Sequence, residues 1–135
     1  MPAAVTRLNP TDLPNSGSIG YSQISISEPG RLAFVSGQVA WRPEGGAVPQ
    51  ALESQAAIVV ANLRHALAAL GARPDDIVQM RIFALDLRPE AQATIMGALA
   101  GFLDGAKPSL TGVGVAALAT PELQLEIEMV VRPPG

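Results

Sequence analysis

Hydrophobic residues along the 135-residue chain change their spacing from one segment to the next, and each change marks a predicted element. Over residues 21–27 apolar side chains alternate with polar ones, which is typical of a β-strand. Residues 31–40 are apolar on both faces, which is typical of a buried strand. A Glu-Pro-Gly turn at residues 28–30 separates the two segments, so they are predicted to form a β-hairpin.

Two helices are predicted from three- and four-residue spacing. Between residues 49 and 70 the apolar positions lie along one helical face, and Gly71 and Pro74 are expected to end this helix. The second helix is predicted to begin at Pro89, because the N–H group that proline lacks would be unpaired in the first turn in any case. Gly105 is expected to end it.

Three further strands are predicted at residues 76–86, 109–118 and 123–131. The element order is then β-β-α-β-α-β-β, which indicates an α+β fold with two helices on one face of a sheet. We expect residues 1–16 to form an N-terminal arm and residues 17–135 to form a single domain, since one core commonly spans about 100–200 residues.

Both faces of the predicted sheet carry apolar side chains, while two helices can cover only one of them. Strict alternation gives each of two strands an apolar set on both of its faces. In the first of these strands, Ala33, Val35 and Val39 lie opposite Leu32 and Phe34. In the second, Ile77, Phe83 and Leu85 lie opposite Val78, Met80 and Ile82. A bare second face would be a larger hydrophobic patch than monomers usually expose. The pattern therefore predicts a homo-oligomer that buries this face.

Composition and charge exclude several classes of protein. Hydrophobic residues make up 48% of the chain and charged residues 16%, so disorder from low hydrophobicity is excluded. A net charge of −3 and only 4% aromatic residues argue against nucleic-acid binding. No apolar run is long enough to cross a bilayer or to act as a signal peptide, so we expect a soluble, cytoplasmic protein without membrane contact.

The chain has no cysteine and a single histidine, His65. A thiol nucleophile, a thiolate metal site and a zinc site with the HExxH spacing are therefore not expected. His65 is interpreted as a surface residue of the first helix. No metal and no other cofactor are predicted.

Four stretches, at residues 20–23, 34–39, 55–78 and 108–128, together resemble the Rid family, also called YjgF or endoribonuclease L-PSP. The resemblance covers about residues 17–132 and depends on the order and spacing of all four stretches. It implies a chorismate-mutase-like fold assembled as a homotrimer, with small-molecule ligands bound in clefts between subunits. A homotrimer agrees with the self-association predicted from the strand faces.

The best-known Rid proteins hydrolyse reactive 2-imino acids and their enamine tautomers to 2-keto acids and ammonia. The resemblance implies that Glu126 is the carboxylate that positions the attacking water. It also implies that Tyr21 lines the cleft and that Ser36 and Gly37 hold the ligand through a side chain and a backbone N–H group. Gly112 matches a position whose backbone contacts the ligand.

One position departs from the imine-hydrolysing pattern. Those members carry an arginine two residues after the proline that corresponds to Pro108, whereas this chain has Leu110. An arginine binds a carboxylate through charge-assisted bonds that contribute about 1.5–3 kcal/mol. Leu110 therefore predicts a cleft suited to a neutral ligand and little hydrolysis of 2-iminopropionate, and Lys107 is expected to point elsewhere.

Glu126 and Glu128 are two residues apart on a predicted strand, so both carboxylates project from one face. Such carboxylates either handle a proton or a water in a cleft, or form ion pairs with an arginine such as Arg81. The strand pattern alone does not separate these two roles, and the resemblance favours the first role for Glu126.

Three alternatives to an altered imine or enamine hydrolase stay open at this stage. Another arginine could replace the missing one and preserve 2-imino acid hydrolysis. The protein could instead be a non-catalytic trimer that senses a ligand or binds a protein. The ribonuclease activity in the family label is disfavoured, because the net charge is −3 and the chain has no pair of histidines.

Overall fold

Six strands and two long helices make up residues 3–135, the part of the chain that the computed structural model describes. In chain order they are β1 (Val5–Leu8), β2 (Ile24–Ser27), β3 (Ala33–Gln38), α1 (Leu52–Leu70), β4 (Ile77–Ala84), α2 (Pro89–Leu103), β5 (Ser109–Gly114) and β6 (Leu125–Val131). The α+β class and the order of the seven predicted elements are confirmed. The predicted hairpin of β2 and β3 is wrong, because β2 pairs with β1 and β3 pairs with β6 in the other sheet. The structure adds β1, within the segment expected to be an N-terminal arm.

The strands form two sheets. One contains β1 and β2, and the other has the order β3-β6-β4-β5, in which only the β4–β5 pair is parallel. An isolated bridge between Ser22 and Ser109 connects the chain before β2 to the first residue of β5. The described residues contain no helix long and apolar enough to span a membrane.

The ends of both helices follow from local residue chemistry. Gly71 adopts the left-handed conformation with φ 62° and caps α1, as its position in the sequence predicts. Pro89 occupies the first turn of α2, also as predicted. The second helix ends one residue earlier than expected, because Asp104 takes up the left-handed conformation with φ 48°.

One face of the four-stranded sheet packs against both helices and forms the core. Strand β6 buries alternate residues there: Leu125, Ile127, Met129 and Val131. Helix residues that pack on them include Val59, Leu63, Ile95, Leu99 and Phe102. The two helices therefore cover a single face of the sheet.

The opposite face, which we call the open face, carries the remaining side chains of β3, β4 and β6. Its members include Phe34, Arg81, Phe83, Glu126 and Glu128. Phe34 has an exposed fraction of 75% in the single chain, although phenylalanine is a residue that proteins usually bury. The open face thus combines apolar and charged groups and has no covering element within one chain.

The alternation predicted for β4 is wrong at its first residue. Ile77 was expected on the same face as Phe83, but Ile77 lies fully buried in the core. The pairing of β4 with β6 shifts between Ile77 and Gln79, so one extra residue enters β4 at this point. Such a bulge reverses the face of every residue before it.

Arg7 of β1 connects the two-stranded sheet to the start of β4 through side-chain hydrogen bonds. Its guanidinium donates to the Ser25 hydroxyl at 2.7 Å and to the Ile77 carbonyl oxygen at 2.6 Å. It also donates to the carbonyl oxygens of Asp75 and Val78 at 3.3 and 3.4 Å. Burial lowers the pKa of Arg7, and the nearby Asp75 charge opposes that shift. These bonds provide a donor to backbone oxygens that precede the part of β4 paired with β5.

We predict that Arg7→Gln lowers the free energy of unfolding by about 2 kcal/mol, because partly buried carbonyl oxygens lose a charged donor. Urea denaturation measures the change. The matched control is Arg73→Gln, since Arg73 is exposed and its contact with Asp75 is long, at 4.0 Å. A surface change of this kind costs within about 0.5 kcal/mol, and equal losses in the two variants would contradict the role of Arg7.

Candidate functional site

The carboxylate of Glu126 lies against Gly37 on the neighbouring strand β3. Pairing between β3 and β6 is irregular between Val35 and Gln38, and the irregular segment contains Ser36 and Gly37. A Cβ atom placed on Gly37 would lie within 3.0 Å of three side-chain atoms of Glu126. Gly37 does not have a positive φ. Glycine is therefore needed here for space, because a side chain would displace the Glu126 carboxylate.

The two glutamates of β6 have different partners on the open face. Glu128 pairs with Arg81, with 3.3 Å between Oε1 and Nε, which is one of the two roles left open by the sequence. Glu126 is paired in register with Phe83 instead. None of the ion pairs among residues 3–135 includes Glu126. Its carboxylate therefore keeps its lone pairs for a ligand or a water.

A second group of residues surrounds a cavity of about 250 Å³ between β5, α2 and the segment before β2, which we call the first cavity. Its lining consists of Ile19, Tyr21, Ile82, Leu87, Gln92, Ile95, Met96, Leu110 and Gly112. Leu110 is paired with Met80 and packs against the core. The lining contains no charged side chain, so the cavity suits an uncharged ligand group.

Gln92 is a polar residue of the first cavity that sequence reasoning missed. Its Nε2 atom donates to the Leu87 carbonyl oxygen at 2.6 Å, which leaves Oε1 and the second N–H for other partners. Gln92 lies three residues before the buried Ile95, and residues with this spacing share a helix face. That spacing was the signal in the sequence that could have identified it.

Arg88, which follows Leu87 directly in the sequence, forms an ion pair with Asp86. Its Nη2 and Nε atoms donate to Asp86 carboxylate oxygens at 2.7 to 3.1 Å. Hydrogen bonds from the Arg88 side chain and backbone N–H lower the pKa of Asp86 to about 2. Asp86 is therefore ionised at neutral pH, and Arg88 is not among the residues lining the first cavity.

The residues singled out in the sequence thus fall into two groups on opposite faces of the sheet. Tyr21, Leu110 and Gly112 line the first cavity, on the side of the helices. Glu126 and Gly37 meet on the open face, and Ser36 lies beside Gly37 in the same irregular segment. A single chain does not bring the two groups together.

The described residues show no cluster of three or more His, Asp or Glu side chains that could hold a metal ion.

Comparison with known proteins identifies the fold. A family model described as endoribonuclease L-PSP matches residues 15–132. A Rid-family protein of unknown function from Yersinia pestis, YyfB, has a crystal structure that superposes with a TM-score of 0.89, at 35% identity over 96% of this chain and 98% of that one. The chain belongs to the Rid family.

Two further Rid proteins relate this family member to a ligand-bound structure and to a eukaryotic relative. TdcF of Escherichia coli, named as a candidate reactive intermediate deaminase, is 32% identical over 75% of this chain and 78% of TdcF. Its crystal structure with bound serine gives a TM-score of 0.69 at 30% identity, covering 84% and 88% of the two chains. Mitochondrial Mmf1 of Saccharomyces cerevisiae is 29% identical over 94% of this chain and 84% of Mmf1.

We predict that Gly37→Ala destabilises this Rid protein by about 1–3 kcal/mol, because its methyl group competes with the Glu126 carboxylate for space. Glu126→Ala should remove most of that penalty, and a double-mutant cycle by urea denaturation measures the coupling. The control is Gly97→Ala in α2, where an added Cβ meets nothing within 4 Å. Gly37→Ala costing the same with and without Glu126 would contradict the contact.

Proposed function

We propose that this Rid-family chain binds a small metabolite in clefts between subunits of a homotrimer, and that Glu126 orients a water there for hydrolysis of an imine or enamine. The observation that carries the proposal is the placement of the two groups of candidate residues on opposite faces of one sheet. A neighbouring copy that covers the open face can bring its first cavity to Glu126. The name of TdcF and the serine bound to it support a small-molecule ligand.

Self-association follows from the apolar groups outside the core. Phe34, on the open face, has an exposed fraction of 75%, and Val113, whose register partner Phe83 lies on that face, has a fraction of 38%. Monomeric proteins rarely expose apolar patches of this extent. Symmetric copies that bury the open face remove this surface from water, and a closed trimer leaves no open face unpaired.

In the proposed reaction, water adds to the carbon of a C=N bond and ammonia leaves, which converts an imine to a carbonyl compound. Glu126 accepts a proton from the water and returns it to the departing nitrogen. The Ser36 hydroxyl and the Gly37 N–H group hold the ligand beside Glu126. Tyr21 contributes the wall of the cleft on the side of the neighbouring subunit.

Leu110 sets the class of ligand. Because the lining of the first cavity carries no charge, the part of the ligand beside Leu110 is uncharged. A carboxylate forced against this wall would lose its hydration without gaining a cationic partner. Two arginines are adjacent in sequence to lining residues, and both already have acidic partners: Arg81 contacts Glu128, and Arg88 contacts Asp86. A neutral or apolar ligand group therefore replaces the 2-imino acid carboxylate.

We predict that the wild type accelerates keto-acid release from 2-iminopropionate only weakly, whereas Leu110→Arg accelerates it by one to two powers of ten, because charge-assisted bonds contribute about 1.5–3 kcal/mol. Imines produced by an amino-acid oxidase from several amino acids supply the panel of substrates. Leu110→Met is the neutral control, and Glu126→Gln combined with Leu110→Arg should abolish the gain.

Each outcome of this assay has a separate meaning. Strong activity of the wild type on 2-iminopropionate would refute the argument from Leu110. Silence of the wild type and of Leu110→Arg would refute hydrolysis of 2-imino acids at Glu126. That silence would favour either a trimer that senses a ligand or binds a protein, or a site for an unrelated substrate.

We predict a mass of three times 13.9 kDa by light scattering at micromolar concentration. Phe34→Asp should shift the protein toward the monomer, because it places a charge in the buried interface. Ala69→Asp, on the exposed side of α1, is the control and should leave the mass unchanged. A monomeric wild type would overturn the proposed site, since its two halves would then stay apart.

A further inference from the structure

A second cavity, of about 120 Å³, lies next to the first one along α2. Its lining consists of Ile19, Gly20, Met96, Leu99, Ala100, Leu103, Gly105, Ala106 and Lys107. Ile19 and Met96 line both cavities, so these two side chains form the wall between them. From Gln92 in the first cavity to Leu103 in the second, α2 advances about 16 Å at 1.5 Å per residue.

The two ends of this paired cavity differ in charge. The polar side chains at the first end, Tyr21 and Gln92, are uncharged. At the far end lies Lys107, the only lysine in the chain. Its Nζ atom lies 4.0 Å from the position of a Cβ on Gly17. None of the ion pairs among residues 3–135 includes Lys107, so its ammonium group is available to an anion.

The wall between the cavities consists of movable side chains. Met96 is unbranched and adapts its shape readily. Ile19 has an exposed fraction of 61% and sits on a turn in which the Ser16 carbonyl oxygen accepts the N–H groups of Ile19 and Gly20. The two side chains can therefore rotate aside while the backbone of the turn and of α2 stays in place.

We propose that the two cavities form one site for a linear aliphatic carboxylate, whose chain lies against Leu110 and whose carboxylate binds Lys107. The inference rests on the proposed ligand site in the first cavity and identifies the chemistry of the ligand outside the reacting C=N group. It gives the apolar side chain at position 110 a positive role, because an alkyl chain needs apolar surface there. The group that recognises the ligand carboxylate then lies near the far end of α2 and not at position 110.

Calorimetric titration of the wild type with butanoate, hexanoate and octanoate, and with the amide of each acid, tests this proposal. We expect affinity to rise about fourfold for each added methylene group that enters the site. Lys107→Gln should weaken octanoate binding about tenfold or more, because a charge-assisted bond is lost. The same variant should leave octanamide binding unchanged.

Two further variants separate the contributions. Arg73→Gln removes an exposed positive charge outside both cavities and should change no affinity. Ala100→Phe fills the second cavity, so it should reduce octanoate binding to the level of butanoate and leave butanamide binding as it is. These expectations hold for the intact protein in the oligomeric state it adopts in solution.

Equal weakening of octanoate and octanamide by Lys107→Gln would overturn the proposal, as would an affinity that does not depend on chain length. Binding of butanamide without any gain for octanoate would refute the paired site and leave the first cavity as a ligand site. Failure of every probe to bind would overturn both the paired site and the proposed ligand site.

Discussion

The alternation of side chains along β6 is the constraint on which the rest of the molecule depends. Leu125, Ile127 and Met129 must face the helices, because together they supply the centre of the core. Glu126 and Glu128 are then forced onto the open face, whatever their chemical role. A slip of one residue would bury both carboxylates and expose the core residues. The position of the candidate catalytic acid is thus fixed by the same hydrophobic burial that stabilises the fold.

Elements with a strong local period could be predicted from the sequence, whereas those that depend on distant partners could not. The helix ends at Gly71 and Pro89 follow from backbone preferences of single residues, so the sequence pattern was sufficient there. The face predicted for Ile77 was wrong because a bulge arises from the pairing of two strands and cannot be recognised in the sequence of one strand. The strand β1 was missed because it is four residues long and is held by Arg7, whose carbonyl partner Ile77 lies 70 residues away.

The candidate site shows the same division. The resemblance to the Rid family singled out Tyr21, Leu110 and Gly112, and the structure brings them to one cavity. The contact between Gly37 and Glu126 joins strands from opposite ends of the chain, and no local pattern of residues records it. The prediction that Lys107 points away from Leu110 agrees with its place on the second cavity alone. The sequence therefore identified candidate site residues, whereas the topology of the fold determined which of them lie close together.

The uncharged wall around Leu110 also limits how selective the first cavity can be. A site built on a buried arginine rejects ligands without a carboxylate strongly, because the unpaired guanidinium would remain desolvated. An apolar pocket discriminates against one missing methylene group by only about 1–3 kcal/mol. Tyr21 and Gln92 offer polar groups that can form hydrogen bonds, but neither carries a charge. In the proposed function, the apolar surface at Leu110 therefore favours a site that discriminates among related ligands by size and shape.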